Sequence, residues 1–221
     1  MPKSVLSKPY QNRIAMFQEY SRGKTVLHLG CSSGGFLQER LARGDLLHSL
    51  LNDVASELHG IDIHEESIEM LRDIGFNNLY IADVQDGKID INKQFDMIVA
   101  GDILEHITKP GCMLEAMKPL LKPDGKLLLS TNNAFGLNYQ IRRWLGIYTE
   151  HPEHVAFYSP ETLRHLFERH EYTVDAVFGA YTVPPYTLKK KLLFIFGRPL
   201  YKQFPVLAGT LVIVARNRNE K

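Results

Sequence analysis

Four short stretches place chemistry-bearing residues directly after apolar, strand-like runs. The first is Gly30-Cys31-Ser32-Ser33-Gly34-Gly35, which follows VLHL. Small residues let a ligand approach the main chain, and a helix starting there offers free N–H groups to an anion. The second is Gly60-Ile61-Asp62. An acid at that position can accept hydrogen bonds from two ribose hydroxyls. The third is Ala82-Asp83-Val84, where an acid can accept from an exocyclic amine. The fourth is Gly101-Asp102-Ile103-Leu104-Glu105-His106. One acid after a strand is more often a turn or cap residue. The signal lies in the order and alternation of all four.

The elements that must position them follow from periodicity and punctuation. Strands are predicted at 25–30, 57–63, 77–84, 95–103 and 126–132, with helices at 36–56 (interrupted near Gly44), 65–75 and 109–121 between them. KPDG at 122–125 reads as a tight turn, and 10–20 as a short N-terminal helix. Ser159 followed by Pro160 and Glu161 marks the start of a helix over 159–170. Strands at 172–180 and 209–217 close the chain. Strands alternating with helices predict an α/β fold: a Rossmann-like, seven-stranded, mostly parallel sheet with helices on both faces. The last two strands are expected as an antiparallel pair at the sheet edge. The whole of 1–221 reads as one domain, with excursions at about 133–158 and 181–205 folding as caps over the carboxyl ends of the strands.

Bulk properties narrow the partners. The net charge of +1 advertises neither nucleic acid nor an anionic surface. Cys31 and Cys112 are far apart and not in metal-ligand spacing, which predicts neither a disulfide framework nor a zinc site, and no metal ligand is assigned. MPKSVLSKPYQNR has no apolar core of a signal peptide, and the apolar stretch at 204–215 is too short to span a bilayer. A cytoplasmic protein without stable membrane insertion, monomer or homodimer, is the expectation.

With these residues in view, the chain resembles a class I S-adenosylmethionine-dependent methyltransferase. VLHLGCSSGG resembles the glycine-rich first motif of that family, GIDIHEES the second and IADVQD the third. FDMIVAGDILEHI and LLKPDGKLLLSTNN resemble its fourth and fifth strands. The resemblance implies S-adenosylmethionine as cofactor, held by Gly30, Cys31, Ser32 and Gly34 at its methionine part. Asp62 would take the ribose and Asp83 the adenine amine. Ile63 and Val84 would sandwich the adenine ring, and Gly101 would line the pocket near the sulfonium. GDILEHI and HVAFYSPETLRHLFERH further resemble small-molecule enzymes that methylate sugars in glycan pathways. Two positions depart from the first motif, which usually has an acid at His28 and a glycine at Ser32. Asp62 also lies 32 positions after Gly30, and the surplus is assigned to an insert, RGDLLHSLLND.

The sulfonium methyl is a strong electrophile, so the protein has to place a nucleophile in line and exclude water. A sugar hydroxyl profits from a general base, most often histidine. His106 and His154 are the candidates, and His151 is a weaker one; each could instead satisfy backbone groups. Glu105 reads as a helix cap or as orienting His106. Asp102 is a candidate for the methionine ammonium or a substrate hydroxyl, with a plain turn role as alternative. Arg142, Arg143 and Trp144 could meet a phosphate or sugar ring, or form an amphipathic helix with a buried indole. Lys189–Lys191 and the Tyr186/Lys190 spacing read as a charge run and as chance. The expected function is methyl transfer to a small acceptor, an oxygen of a sugar or glycan precursor. The rivals are a non-catalytic S-adenosylmethionine-binding module and an NAD(P)-dependent oxidoreductase.

Overall fold

The computed structural model describes residues 6–147, 151–181 and 199–218. In chain order the elements are β1 (Ser7–Asn12), α1 (Arg13–Ser21), β2 (Thr25–Leu29), α2 (Leu37–Arg43), α3 (Leu47–Asn52), β3 (Glu57–Asp62), α4 (Glu65–Asp73), β4 (Leu79–Ile81), β5 (Phe95–Gly101), α5 (Pro110–Met117), β6 (Leu121–Asn132), α6 (Leu137–Trp144), α7 (Pro160–Arg169), β7 (Tyr172–Tyr181) and β8 (Thr210–Asn217). The strands form one sheet in the order β1-β7-β8-β6-β5-β2-β3-β4. Among the described residues, only β8 runs antiparallel to its neighbours, β6 and β7.

Strand alternation sorts the core onto two faces. Leu27, Leu29, Ile98 and Ala100 pack on one side with Met113 and Met117 of α5 and Leu163 and Phe167 of α7. Val26, Met97 and Val99 pack on the other with Met16 and Phe17 of α1 and Leu47 and Leu51 of α3. Both faces of the central strands are therefore covered, which is why their sequences read as nearly continuous apolar runs. From β2 the chain steps outward through β3 and β4, then returns to β5 on the other side of β2. That reversal opens a crevice at the carboxyl ends of β2 and β5, the usual ligand site of an open α/β sheet.

Seven strands match the expected set, and the fold class is the one the sequence implies. Three details differ. Residues 7–12 are a strand, which takes 10–12 from the helix expected over 10–20: β1 pairs parallel with β7 and covers that edge. The helix begins only at Arg13, with the Asn12 side chain accepting from the Ala15 N–H at 3.0 Å. The terminal pair is antiparallel as expected, but β8 is wedged between β6 and β7 rather than lying at the edge. KPDG is absorbed into β6 as an irregularity, since Phe95 pairs with Leu121 whereas Met97 already pairs with Lys126. The helix expected over 36–56 does divide at Gly44, which caps α2 at φ +66°. Most of the second excursion, 182–198, lies outside the described residues, together with Tyr186 and Lys189–Lys191.

Candidate active site

A cavity of about 600 Å³ opens at the carboxyl ends of β2, β3, β4 and β5. Gly30, Gly34, Asp62, Ile63, Asp83, Val84, Gly101, Asp102, His106 and His154 all line it. The sequence-predicted strand ends thus converge on one space. Cys31 and Ser32, also expected to hold the cofactor, do not line it. Both are fully buried. Cys31 packs with Leu37, Leu46, Ile68 and Leu79, and burial pushes its thiol pKa far up.

Ser32 is bonded to Asp62. Its backbone N–H and its hydroxyl both donate to Asp62 Oδ2, at 2.9 and 2.7 Å. The His64 N–H donates to Asp62 Oδ1 at 3.1 Å. A carboxylate has about four acceptor positions. Three are used internally, which fixes the orientation of Asp62 at the cavity wall and leaves Oδ1 one acceptor position. The loop itself is clamped to β3, because the N–H groups of Gly30 and Cys31 both donate to the Ile61 carbonyl, at 2.8 and 3.1 Å. Its path requires left-handed backbone at Gly30 (φ +70°) and Gly34 (φ +52°), where glycine avoids the Cβ penalty. Ser33 (φ 58°) and Asp102 (φ 53°) take the same region without that relief, both at the cavity wall.

On the β4 side, Asp83 accepts from the Gln85 N–H at 2.8 Å, closing a short Asx turn. Gln85 in turn accepts from the Thr108 N–H and hydroxyl and from the Lys109 N–H, which ties this loop to the start of α5. Ile63 is 58% exposed at the mouth, while Val84 is buried. They present apolar surface on which a flat ring can be held.

Arg13 is the residue that sequence reading missed. It is 5% exposed, lines the cavity and forms an ion pair with Asp102. Its Nη1 also donates to Ser130 Oγ at 3.1 Å, and Ser130 Oγ donates to Asp102 Oδ1 at 2.8 Å. One signal was available: Arg13 shares a helical face with Met16 and Phe17, both buried.

His28 lies on the same side of β2 as Val26 and meets α3. Its Nδ1 is 3.2 Å from Nδ1 of His48, and the two rings stack. Burial lowers His28 well below the ordinary histidine range, with His48 and Arg13 adding to the effect. Burial likewise lowers His48 to about 4. The pair is neutral at pH 7, one ring donating and the other accepting. The acid usual at position 28 is therefore replaced by an uncharged hydrogen-bonding group.

His106 and His154 are neighbours rather than rival sites, with ring centroids 4.8 Å apart and an interplanar angle of 79°. His151 joins them, and Glu153 approaches His106 Nδ1 at 3.7 Å. His151-x-x-His154 was the sequence signal for this cluster; its third member is 45 positions upstream. Glu105 neither caps α5 nor faces His106. Its carboxyl is buried, accepts from Thr131 Oγ1 at 2.9 Å, and is raised to about 7 by burial and by Asp102. Its carbonyl accepts from Val155 and Ala156, tying the 151–156 segment to the end of β5. Arg142, Arg143 and Trp144 do not line the cavity, and the indole is 79% exposed rather than buried.

Comparison with known proteins accords with this arrangement. A family model described as "Methyltransferase domain" matches residues 6–177. Among curated proteins, the ubiquinone biosynthesis O-methyltransferase of Neisseria meningitidis is 31% identical over 121 residues, 51% of this chain and 45% of that protein. The protein of the same name from Actinobacillus pleuropneumoniae is 34% identical over 120 residues, 50% of this chain and 47% of that one. The match thus spans about half the length of these relatives. The fold is shared with an S-adenosylmethionine-dependent methyltransferase from Mesorhizobium loti, with TM-score 0.57, 17% identity and coverage of 92% and 95% of the two chains. The chain belongs to the methyltransferase-domain family.

Proposed function

We propose that this chain moves the methyl group of S-adenosylmethionine to a hydroxyl oxygen of a small acceptor that enters beside His106 and His154. The observation that carries the proposal is their place in one cavity with the ends of β2, β3, β4 and β5. The nucleoside would lie toward Asp62, Asp83, Ile63 and Val84. The methionine end would lie at Gly30, Gly34 and Gly101, where Arg13 and Asp102 offer opposite charges to an amino-acid zwitterion. His28 is neutral there, so charge recognition falls to that pair. The acceptor would then approach from the histidine side, with His106 or His154 taking its proton. The oxygen forms a bond to the methyl carbon while the carbon–sulfur bond breaks, and its electron pair stays on sulfur as a neutral thioether.

An oxygen acceptor accords with the curated relatives, which are O-methyltransferases by name. The narrower sugar or glycan acceptor finds no counterpart among them, and the proposal is widened to hydroxyl acceptors accordingly. Methyltransferase family membership also displaces the oxidoreductase alternative. The test has two stages. Calorimetry with S-adenosylhomocysteine is expected to show one site per chain; its absence would sink the proposal. Turnover is then read with radiolabelled S-adenosylmethionine on phenols and on sugar alcohols. A phenol near pKa 10 needs less help from a base than a sugar hydroxyl. Tight binding with no turnover on either panel would favour a non-catalytic module.

A further inference from the structure

We propose that His106, His151 and His154 form a binding site for a divalent transition-metal ion at the acceptor end of the cavity. One ring nitrogen from each histidine lies within 4.8 Å of the others. Two imidazole nitrogens on one tetrahedral zinc ion, at about 2.1 Å each, are about 3.4 Å apart. Small side-chain rotations close that difference. The three rings are mutual neighbours: His106 stands at 77° to His151 and 79° to His154, and His151 and His154 are tilted by 35° with centroids 5.1 Å apart.

The backbone beneath the cluster is cross-tied. The His154 N–H donates to the His151 carbonyl at 3.0 Å, and the Val155 N–H to the Glu105 carbonyl at 2.8 Å. The ligand from the end of β5 and the two from 151–154 are thereby held together before any ion arrives. Three protein nitrogens with a position left open toward a cavity is the plan of a catalytic rather than a structural site. Neutral imidazoles select zinc, cobalt or nickel, whereas magnesium and calcium prefer oxygen ligands. Glu153, whose carboxylate is 3.7 Å from His106 Nδ1, can serve as an outer-sphere partner that orients that ring.

The role of such an ion rests on the methyl-transfer reading: with the metal bound, it would hold the acceptor hydroxyl and lower its pKa so that the proton leaves to solvent water, in place of the histidine base of the metal-free site. Metal binding itself does not depend on that reading, and the two are measured separately. The full chain, freed of metal by chelator and dialysis, is titrated with Co²⁺ and its visible spectrum recorded. Zn²⁺ affinity is read by competition with a chromophoric chelator. Expected are the intense visible bands of four-coordinate cobalt, one equivalent per chain, displaced by Zn²⁺ and indifferent to Mg²⁺. His151→Ala and His154→Ala are each expected to weaken Zn²⁺ by at least about tenfold. His151 is exposed, so its replacement does not threaten the fold. S-adenosylhomocysteine binding by the same variants reports that the domain is intact. Weak six-coordinate cobalt spectra, no stoichiometric binding by the wild type, or variants that bind as well as the wild type would each overturn the site. Loss of S-adenosylhomocysteine binding by the wild type would instead overturn the methyl-transfer reading and leave the metal question to the cobalt spectrum.

Discussion

At the scale of single residues, the site is built from side chains that hold other side chains. Ser32 is the clearest case, because it supplies two of the three donors that fix Asp62. Ser32→Ala removes the hydroxyl bond and keeps the N–H bond. Loss of one buried, charge-assisted hydrogen bond costs about 1.5–3 kcal/mol. Affinity for S-adenosylhomocysteine, measured by calorimetry, should fall severalfold while the variant stays folded; unchanged affinity would show that Ser32 does not act through Asp62. The His28–His48 pair gives a second, pH-dependent prediction. His48 has its pKa lowered to about 4 in the fold, against about 6.5 for an unfolded chain. The unfolded state therefore binds the proton first, and stability is lost as pH falls from about 6.5 toward 4. Between pH 7 and 5 this group alone removes about 2 kcal/mol. The groups facing the pair are each other and Arg13, which pushes His28 the same way. Urea unfolding at the two pH values should show the loss in the wild type and a flatter response by about that amount in His48→Gln.

At the scale of elements, what could be read from sequence depended on whether the signal was local. The glycine cluster after β2, the acids after β3 and β4, and the break at Gly44 are local signals, and the structure has them where expected. The position of β8 is not local. Its sequence fits an edge or an interior strand equally, and only its pairing with both β6 and β7 decides. Residues 7–12 likewise become a strand because β7 offers an open edge, a tertiary cause that no short window contains. The same displacement hid Arg13, whose place at the start of α1 is what aims it at Asp102 and Ser130. Asn12 sets that start. Asn12→Ala removes the cap and should cost about 1 kcal/mol of stability. Because the cap also positions Arg13, cofactor affinity should weaken as well. A fall in stability with no change in affinity would limit Asn12 to a structural role.

At the scale of the whole molecule, the cavity wall draws on segments far apart in sequence. Arg13 from α1, Asp102 after β5 and Ser130 of β6 form one bonded group, and the Glu105 carbonyl, a few residues after β5, accepts from Val155 and Ala156 of the 151–156 segment. A ligand in this cavity touches residues from both halves of the sheet, so binding should stabilise the domain as one unit rather than quiet a single loop. A ligand that binds only the folded state adds about 2.7 kcal/mol at a concentration one hundred times its Kd. S-adenosylhomocysteine at that ratio should raise the unfolding free energy by that amount in urea titration. Amide exchange should slow together at the Gly30–Phe36 loop, at α1 and at Gly101–Ile107. NADH at equal concentration should do neither, because the chain lacks the G-x-G-x-x-G turn that seats a pyrophosphate. Protection confined to the β2 loop, with α1 and the end of β5 unmoved, would contradict the place given to Arg13 and Asp102 at the methionine end.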